Sequence, residues 1–245
     1  MTFKQLPMND YTVFHFEVPS EGKEYRFRPF VVKEVKALLV AQGTGDKETM
    51  VDTLKLVIRS ACLDDNFDID KLSIFDCEYL MLKLRSISVG ETATVRIKCD
   101  GEHQENQPKD CRVDINLMNV EVANLDNSKR EIKVSENSIV YLNYPSVDML
   151  RYLSKGDGAS LTPDEYTEVI RQCIDRIYIG DEVYHQNELD ENNLMDWLNN
   201  LSPLGYGKLI AFFQSLPYVR LKIEFTCPVC GKKNERFLTG LDAFF

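Results

Sequence analysis

Residues 219–231 read VRLKIEFTCPVCG, and the order of residue types in this stretch decides the fold of the chain. The first seven side chains alternate apolar and polar, which predicts a strand, and a shorter alternating run after the turn predicts a second one. Cys227 and Cys230 lie in the turn, with Pro228 between them and Gly231 after them. Two thiols presented by one tight turn are half of a tetrahedral zinc site. Another segment must supply the other half.

One other segment has a matching pattern. Residues 94–98 alternate before Cys99, and residues 112–117 alternate after Cys111, with a polar loop between the two cysteines. Both cysteines are therefore predicted where a strand meets a loop. The spacing C-x2-C beside Pro and Gly is a specific signal, whereas C-x11-C alone is a weak one. We predict one zinc ribbon, split by a long insertion, whose four ligands are Cys99, Cys111, Cys227 and Cys230.

His103 lies in the loop between Cys99 and Cys111 and is the alternative ligand of the first half. Four protein ligands leave no coordination position for water, so the predicted zinc is structural. If His103 replaced a cysteine and one position stayed open, the site would suit a metal-dependent hydrolase. Free thiols without metal, or a disulfide, are the remaining alternatives.

Composition predicts an ordinary globular protein. The chain has 245 residues, 44% hydrophobic and 28% charged, which is enough for one large domain or two closely packed ones. No stretch approaches 18 consecutive apolar residues, and the N-terminus lacks a signal-peptide core. We therefore expect a protein made and kept in a cytoplasm, without a membrane partner. Seven cysteines in such a chain favour metal ligation and core packing over disulfides.

The net charge of -10 disfavours nucleic-acid binding over most of the surface. The predicted ribbon nevertheless carries a set of basic residues, and zinc ribbons often bind nucleic acid. A zinc-ribbon nucleic-acid-binding protein is therefore the alternative function. The basic residues are Arg96, Lys98, Arg220, Lys222, Lys232, Lys233 and Arg236.

Outside the ribbon, periodicity predicts an opening hairpin over residues 11–28 and then amphipathic helices up to residue 88, the last capped by Ser73. Two strands over residues 132–142 are expected to extend the ribbon sheet. Thr162 and Pro163 predict a helix start, and the apolar stripe behind them continues to Ile177. Cys62, Cys77 and Cys173 fall on apolar stripes and are predicted to be core residues.

The predicted fold class is α+β: a small antiparallel zinc-ribbon-like sheet, split by a long insertion and packed with helical bundles. We expect an N-terminal hairpin and helical region over residues 1–92. Residues 93–143 and 218–245 would form the split ribbon domain, and residues 144–217 the helical insertion.

Catalytic motifs are absent from the sequence. It contains no P-loop, no G-x-G-x-x-G, no G-x-S-x-G and no H-E-x-x-H, and its three histidines are scattered. The sequence therefore favours a binding or assembly protein without a small-molecule substrate.

Residues 240–245 read GLDAFF and close the sequence with two aromatic side chains. Phe244 and Phe245 are expected either to pack on the core of the same chain or to bind a groove on a partner.

Several short segments together resemble the T4-type phage baseplate family. They are YRFRPF at residues 25–30 with Glu34, IFD at 74–76 with YL at 79–80, LR at 84–85 with SVGE at 88–91, Cys99, and the final C-x2-C-G. The resemblance covers nearly the whole chain but departs at the wide spacing of Cys99 and Cys111, which leaves the ligands of the first half open.

This resemblance implies a non-enzymatic structural or assembly protein of the hub of a contractile tail baseplate. Its partners would be other baseplate and tail hub proteins. It would act in the infected host cytoplasm, with retention in the virion left open.

Overall fold

The computed structural model describes residues 10–105, 107–149 and 162–240. In these ranges the chain is a mixed α+β protein with six α-helices and several small antiparallel sheets. The helices are α1 (Val32–Thr44), α2 (Lys47–Ala61), α3 (Ile74–Ser88), α4 (Pro163–Cys173), α5 (Glu191–Asn199) and α6 (Pro203–Gln214). The strands are β1 (Phe14–Val18), β2 (Lys23–Phe27), β3 (Thr92–Lys98), β4 (Asp110–Asn116), β5 (Glu121–Ala123), β6 (Glu131–Lys133), β7 (Ser138–Leu142), β8 (Ile174–Ile179), β9 (Glu182–His185), β10 (Tyr218–Thr226) and β11 (Lys233–Thr239).

Helices α3 and α4 begin where the sequence predicts, because their first turns are closed by local side chains. The Ser73 hydroxyl accepts a hydrogen bond from the Asp76 N–H, and the Asp76 carboxylate accepts one from the Ser73 N–H. Thr162 and Glu165 form the same reciprocal pair at the start of α4. Such caps satisfy N–H groups that have no partner inside the helix.

Two hydrophobic cores lie on either side of α3. Phe75 and Leu82 face the larger core, which contains most of the chain after residue 92. Leu80 and Leu84 face the smaller core, together with the β1–β2 hairpin and α2. Tyr79 packs against both cores. A single helix with apolar side chains on two faces thus separates the two cores.

Two hairpins form at the segments where the sequence predicts the ribbon strands. Strands β3 and β4 pair antiparallel, and β10 pairs with β11. The predicted extension of this sheet by residues 132–142 is wrong: the third strand beside β10 is β5, and β6 and β7 belong to a separate sheet of order β6-β7-β8-β9. Alternation marks a segment as a strand but does not select its neighbour, so the pattern alone could not assign the sheet.

The insertion is also less helical than its apolar stripe predicts. Helix α4 ends at Cys173, and β8 begins at the next residue in extended conformation. Isoleucines at positions 174, 177 and 179 fit a strand as well as a helix stripe, and β-branched side chains favour the strand. Earlier in the insertion, Val147–Met149 form a 3-10 turn.

Candidate metal centre

Three thiols and one imidazole converge where the two ribbon hairpins meet. Cys99 follows the end of β3, His103 lies in the loop after it, and Cys227 and Cys230 lie in the turn between β10 and β11. The metal-binding atoms of these four residues all lie within 4.8 Å of one another. Residues more than a hundred positions apart in sequence therefore share one cluster.

The distances within the cluster fit a tetrahedral zinc ion. Two ligand atoms about 2.3 Å from a tetrahedral centre are separated by about 3.8 Å. The Sγ atoms of Cys99 and Cys230 are 3.6 Å apart, and Cys227 Sγ is 3.7 Å from His103 Nε2. A disulfide needs a separation near 2.05 Å, so these thiols are not bonded to each other. All seven cysteines, which lie in the described part of the chain, are free.

Backbone N–H groups of the turn stabilise the thiolate form of Cys227. The N–H of Cys230 points at its sulfur and stabilises the thiolate, burial opposes this, and the N–H of Val229 adds to it. Together these effects lower the pKa of Cys227 to about 6. His103 lowers the pKa of Cys99 most, against the effect of burial. The thiolate is the form that binds a metal ion, so both shifts favour ligation.

Asn234 on β11 connects the two halves of the centre. Its side chain is buried, and its amide nitrogen donates to Cys99 Sγ at 3.5 Å and to the Lys232 carbonyl at 2.9 Å. Its amide oxygen accepts the N–H of Asp100 at 3.0 Å. This side chain therefore orients the loop that carries the first ligands relative to the second hairpin.

Gly101 makes room for the cluster. A Cβ atom at this position would lie 2.5 Å from Cys230 Sγ and 3.2 Å from Cys99 Sγ. Its N–H donates to Cys99 Sγ at 3.2 Å. The loop can approach the sulfurs so closely because residue 101 has no side chain.

The structure brings three of the four predicted ligands into the cluster and places His103 beside them. Cys111 lies in β4 opposite Ile97, outside the group of four. Burial and then the neighbouring Cys227 raise the pKa of Cys111 to about 11, which favours the neutral thiol. The signal that points to His103 in the sequence is its short spacing from Cys99, C-x3-H, which keeps both residues in one loop. Cys111 as a ligand stays a prediction.

The remaining cysteines are core residues, as predicted. Cys62, Cys77 and Cys173 are buried in the two cores. Burial raises the pKa of Cys173 to about 12, so this thiol stays neutral. Phe244 and Phe245 lie outside the described residues.

Several basic residues of the ribbon are paired with neighbouring acids. Arg220 contacts Glu121, Lys222 contacts Glu224 and Glu235, and Arg236 contacts Asp100. Paired cations offer less charge to a phosphate backbone than free ones do. Among the described residues, no helix is long and apolar enough to cross a bilayer.

A cluster of four protein donors at the meeting point of two hairpins could hold a metal ion. A family model described as T4 bacteriophage base plate protein matches residues 8–245, and the chain belongs to this family. No curated protein and no solved structure shows significant similarity to the chain. The family resemblance that the sequence predicts is confirmed.

Proposed function

We propose that this chain is a non-enzymatic structural or assembly protein of the hub of a contractile phage tail baseplate. The observation that carries the proposal is the family match over residues 8–245, nearly the whole chain. The protein would bind other baseplate and tail hub proteins in the infected cytoplasm and enter the virion with the tail. The closed donor cluster supports a structural role, since catalytic zinc sites keep an exchangeable position.

The proposed cofactor is a structural zinc ion held by Cys99, Cys227, Cys230 and a fourth ligand. His103 belongs to the group of four whose ligand atoms lie within 4.8 Å of one another, and its Nε2 is 3.7 Å from Cys227 Sγ, which supports it for the fourth position. Cys111 is the predicted alternative. Zinc would supply bonds that hold the two hairpins in one arrangement, while Asn234 and Gly101 orient the loop around it.

The fourth ligand can be assigned by comparing His103→Ala with Cys111→Ala. We expect His103→Ala to lower zinc affinity by roughly tenfold or more, as loss of a direct ligand does, and Cys111→Ala to change it less. Competition with a chromophoric chelator measures both affinities. Cobalt substitution reports whether four-coordinate geometry is kept. The reverse order of the two affinities would assign Cys111.

The functional proposal is tested by producing phage particles without this chain. A nonsense mutation is introduced into the gene for this chain in a phage that encodes it. Lysates from suppressing and non-suppressing hosts are then compared by gradient sedimentation and electron microscopy. Loss of complete baseplates and accumulation of free tail components is the expected result. Normal tails with a defect only in nucleic-acid metabolism would reject the proposal in favour of the nucleic-acid-binding alternative.

A further inference from the structure

Helices α1, α2 and α3 line an apolar groove at the protein surface with a volume of about 280 Å³. Its floor belongs to the smaller core, where Met81 is buried and Leu38 and Leu54 pack against the core residues. Its rim is open to solvent, since Leu39 of α1 is 62% exposed and Val89, just after α3, is 71% exposed. Large apolar side chains exposed around one groove mark a binding surface.

The groove follows α1 for two helical turns. Val35, Leu38, Leu39 and Gln42 line it at positions i, i+3, i+4 and i+7, which span about 10 Å along the helix axis. Nearly all of its described lining residues lie within helices, whose backbone N–H and C=O groups are bonded inside each helix. An extended peptide would find no strand edge to pair with here. An occupant must therefore satisfy its own backbone groups, as a helix does.

The charge of the groove is positive. Among the described residues that line it, Arg85 is the one charged side chain. Arg85 is half-buried, and burial lowers its pKa because the guanidinium loses contact with water. Lys36 adds an exposed positive charge on α1, three residues before Leu39. A carboxylate brought in by an occupant would offset the burial of Arg85, whereas a second cation would repel it.

We propose that this groove binds an amphipathic helix of another protein, with apolar side chains at i, i+3, i+4 and i+7 and a carboxylate that pairs with Arg85. The groove volume lies just below the range of about 300–1,000 Å³ that is typical of small-molecule sites, so it suits a few apolar side chains better than a whole cofactor. The inference deepens the proposed function and rests on it only for the origin of the partner, which would be a baseplate or tail hub protein.

Two fluorescein-labelled synthetic helices of about 18 residues test the proposal on the purified full chain, with binding measured by fluorescence anisotropy. Both peptides carry leucines at i, i+3, i+4 and i+7, and they differ at one position beside this stripe, which is glutamate in one and lysine in the other. We expect the glutamate peptide to bind about tenfold more tightly, because its carboxylate can pair with Arg85. Arg85→Glu should reverse this preference, which a purely structural role of Arg85 would not do.

Exposed groove positions keep the test independent of Arg85. Leu39→Asp and Val89→Asp change side chains on the α1 and α3 sides of the groove that are already exposed, and the melting temperature of each variant is measured in parallel. Each should weaken binding of the glutamate peptide by about tenfold, because a carboxylate then faces the leucines. Leu56→Asp is the matched control, since Leu56 lies on α2, is 65% exposed and does not line the groove. It should leave the affinity unchanged.

Four results would overturn the proposal. They are absence of saturable binding, equal affinity for the two peptides, equal affinity of the Leu39→Asp and Leu56→Asp proteins, and tighter binding of a proline-containing peptide that cannot form a helix. Self-association of the chain that Leu39→Asp abolishes would also overturn it and assign the groove to a second copy. The peptide test uses no phage component, so its failure would leave the baseplate proposal standing, whereas normal tails in the nonsense mutant would reject that proposal alone.

Discussion

At the scale of single residues, Asn234 has the clearest link between its contacts and the metal centre. It donates to the sulfur of Cys99 and accepts from the loop that follows it. We expect Asn234→Ala to lower zinc affinity by roughly tenfold, because partners that orient a ligand typically contribute that much. Chelator competition measures the affinity, and Asn192→Ala, at an exposed position on α5, is the control. Equal affinities for the two variants would show that Asn234 only fills space.

Glu34 makes the stability of the folded protein depend on pH. Burial disfavours its ionised form, but hydrogen bonds from the Arg28 guanidinium, the Ser60 hydroxyl and the Val31 N–H outweigh burial and lower its pKa to about 2. A carboxyl whose pKa is depressed in the folded state stabilises the protein above its ordinary pKa near 4.5. That stabilisation is lost as the pH falls from this value toward 2.

We therefore expect Glu34→Gln to reduce the free energy of unfolding by about 2 kcal/mol at pH 7, since it breaks a buried charge pair. The difference from the natural protein should shrink as the pH falls below 4.5. Urea denaturation at several pH values measures it, and the exposed Glu136→Gln is the matched control. A difference in the free energy of unfolding that stays constant down to pH 3 would contradict the lowered pKa of Glu34.

At the scale of elements, helix starts were predictable and strand partners were not. Ser73 and Thr162 mark helix starts because the hydrogen bonds that cap a helix join residues three positions apart. The pairing of β5 with β10 joins residues about a hundred positions apart and depends on the packed cores. The same distinction holds for the metal centre. The turn with Cys227 and Cys230 follows from local spacing, whereas the position of His103 depends on how the loop after β3 folds.

Two glycine substitutions compare the effect of an added Cβ in the loop beside the thiol cluster with its effect in a helix. Gly101→Ala places a Cβ 2.5 Å from Cys230 Sγ, so we expect loss of metal affinity and of stability. Gly207→Ala lies in α6 with no atom within 4 Å of the added Cβ, and should be neutral or stabilise by about 0.5–1 kcal/mol. Thermal denaturation with metal analysis measures both variants. A Gly101→Ala protein that keeps its metal and its melting temperature would show that the loop can move aside.

At the scale of the whole molecule, the proposed metal centre would join residues that are more than a hundred positions apart. It brings Cys99 to Cys230, and the segment between them contains most of the larger core. We expect Cys227→Ser and Cys230→Ser to lower solubility and to lower the melting temperature by on the order of 10 °C, because metal binding adds to folding free energy in a protein that already has a core. A double variant that kept its melting temperature and its bound metal would contradict the assignment.

The most direct test of the account is co-purification of the tagged chain from infected cells, with metal analysis and mass spectrometry on the same sample. We expect one zinc ion per chain together with tail hub proteins. Stoichiometric zinc with nucleic acid that survives moderate salt, and without any baseplate protein, would contradict it.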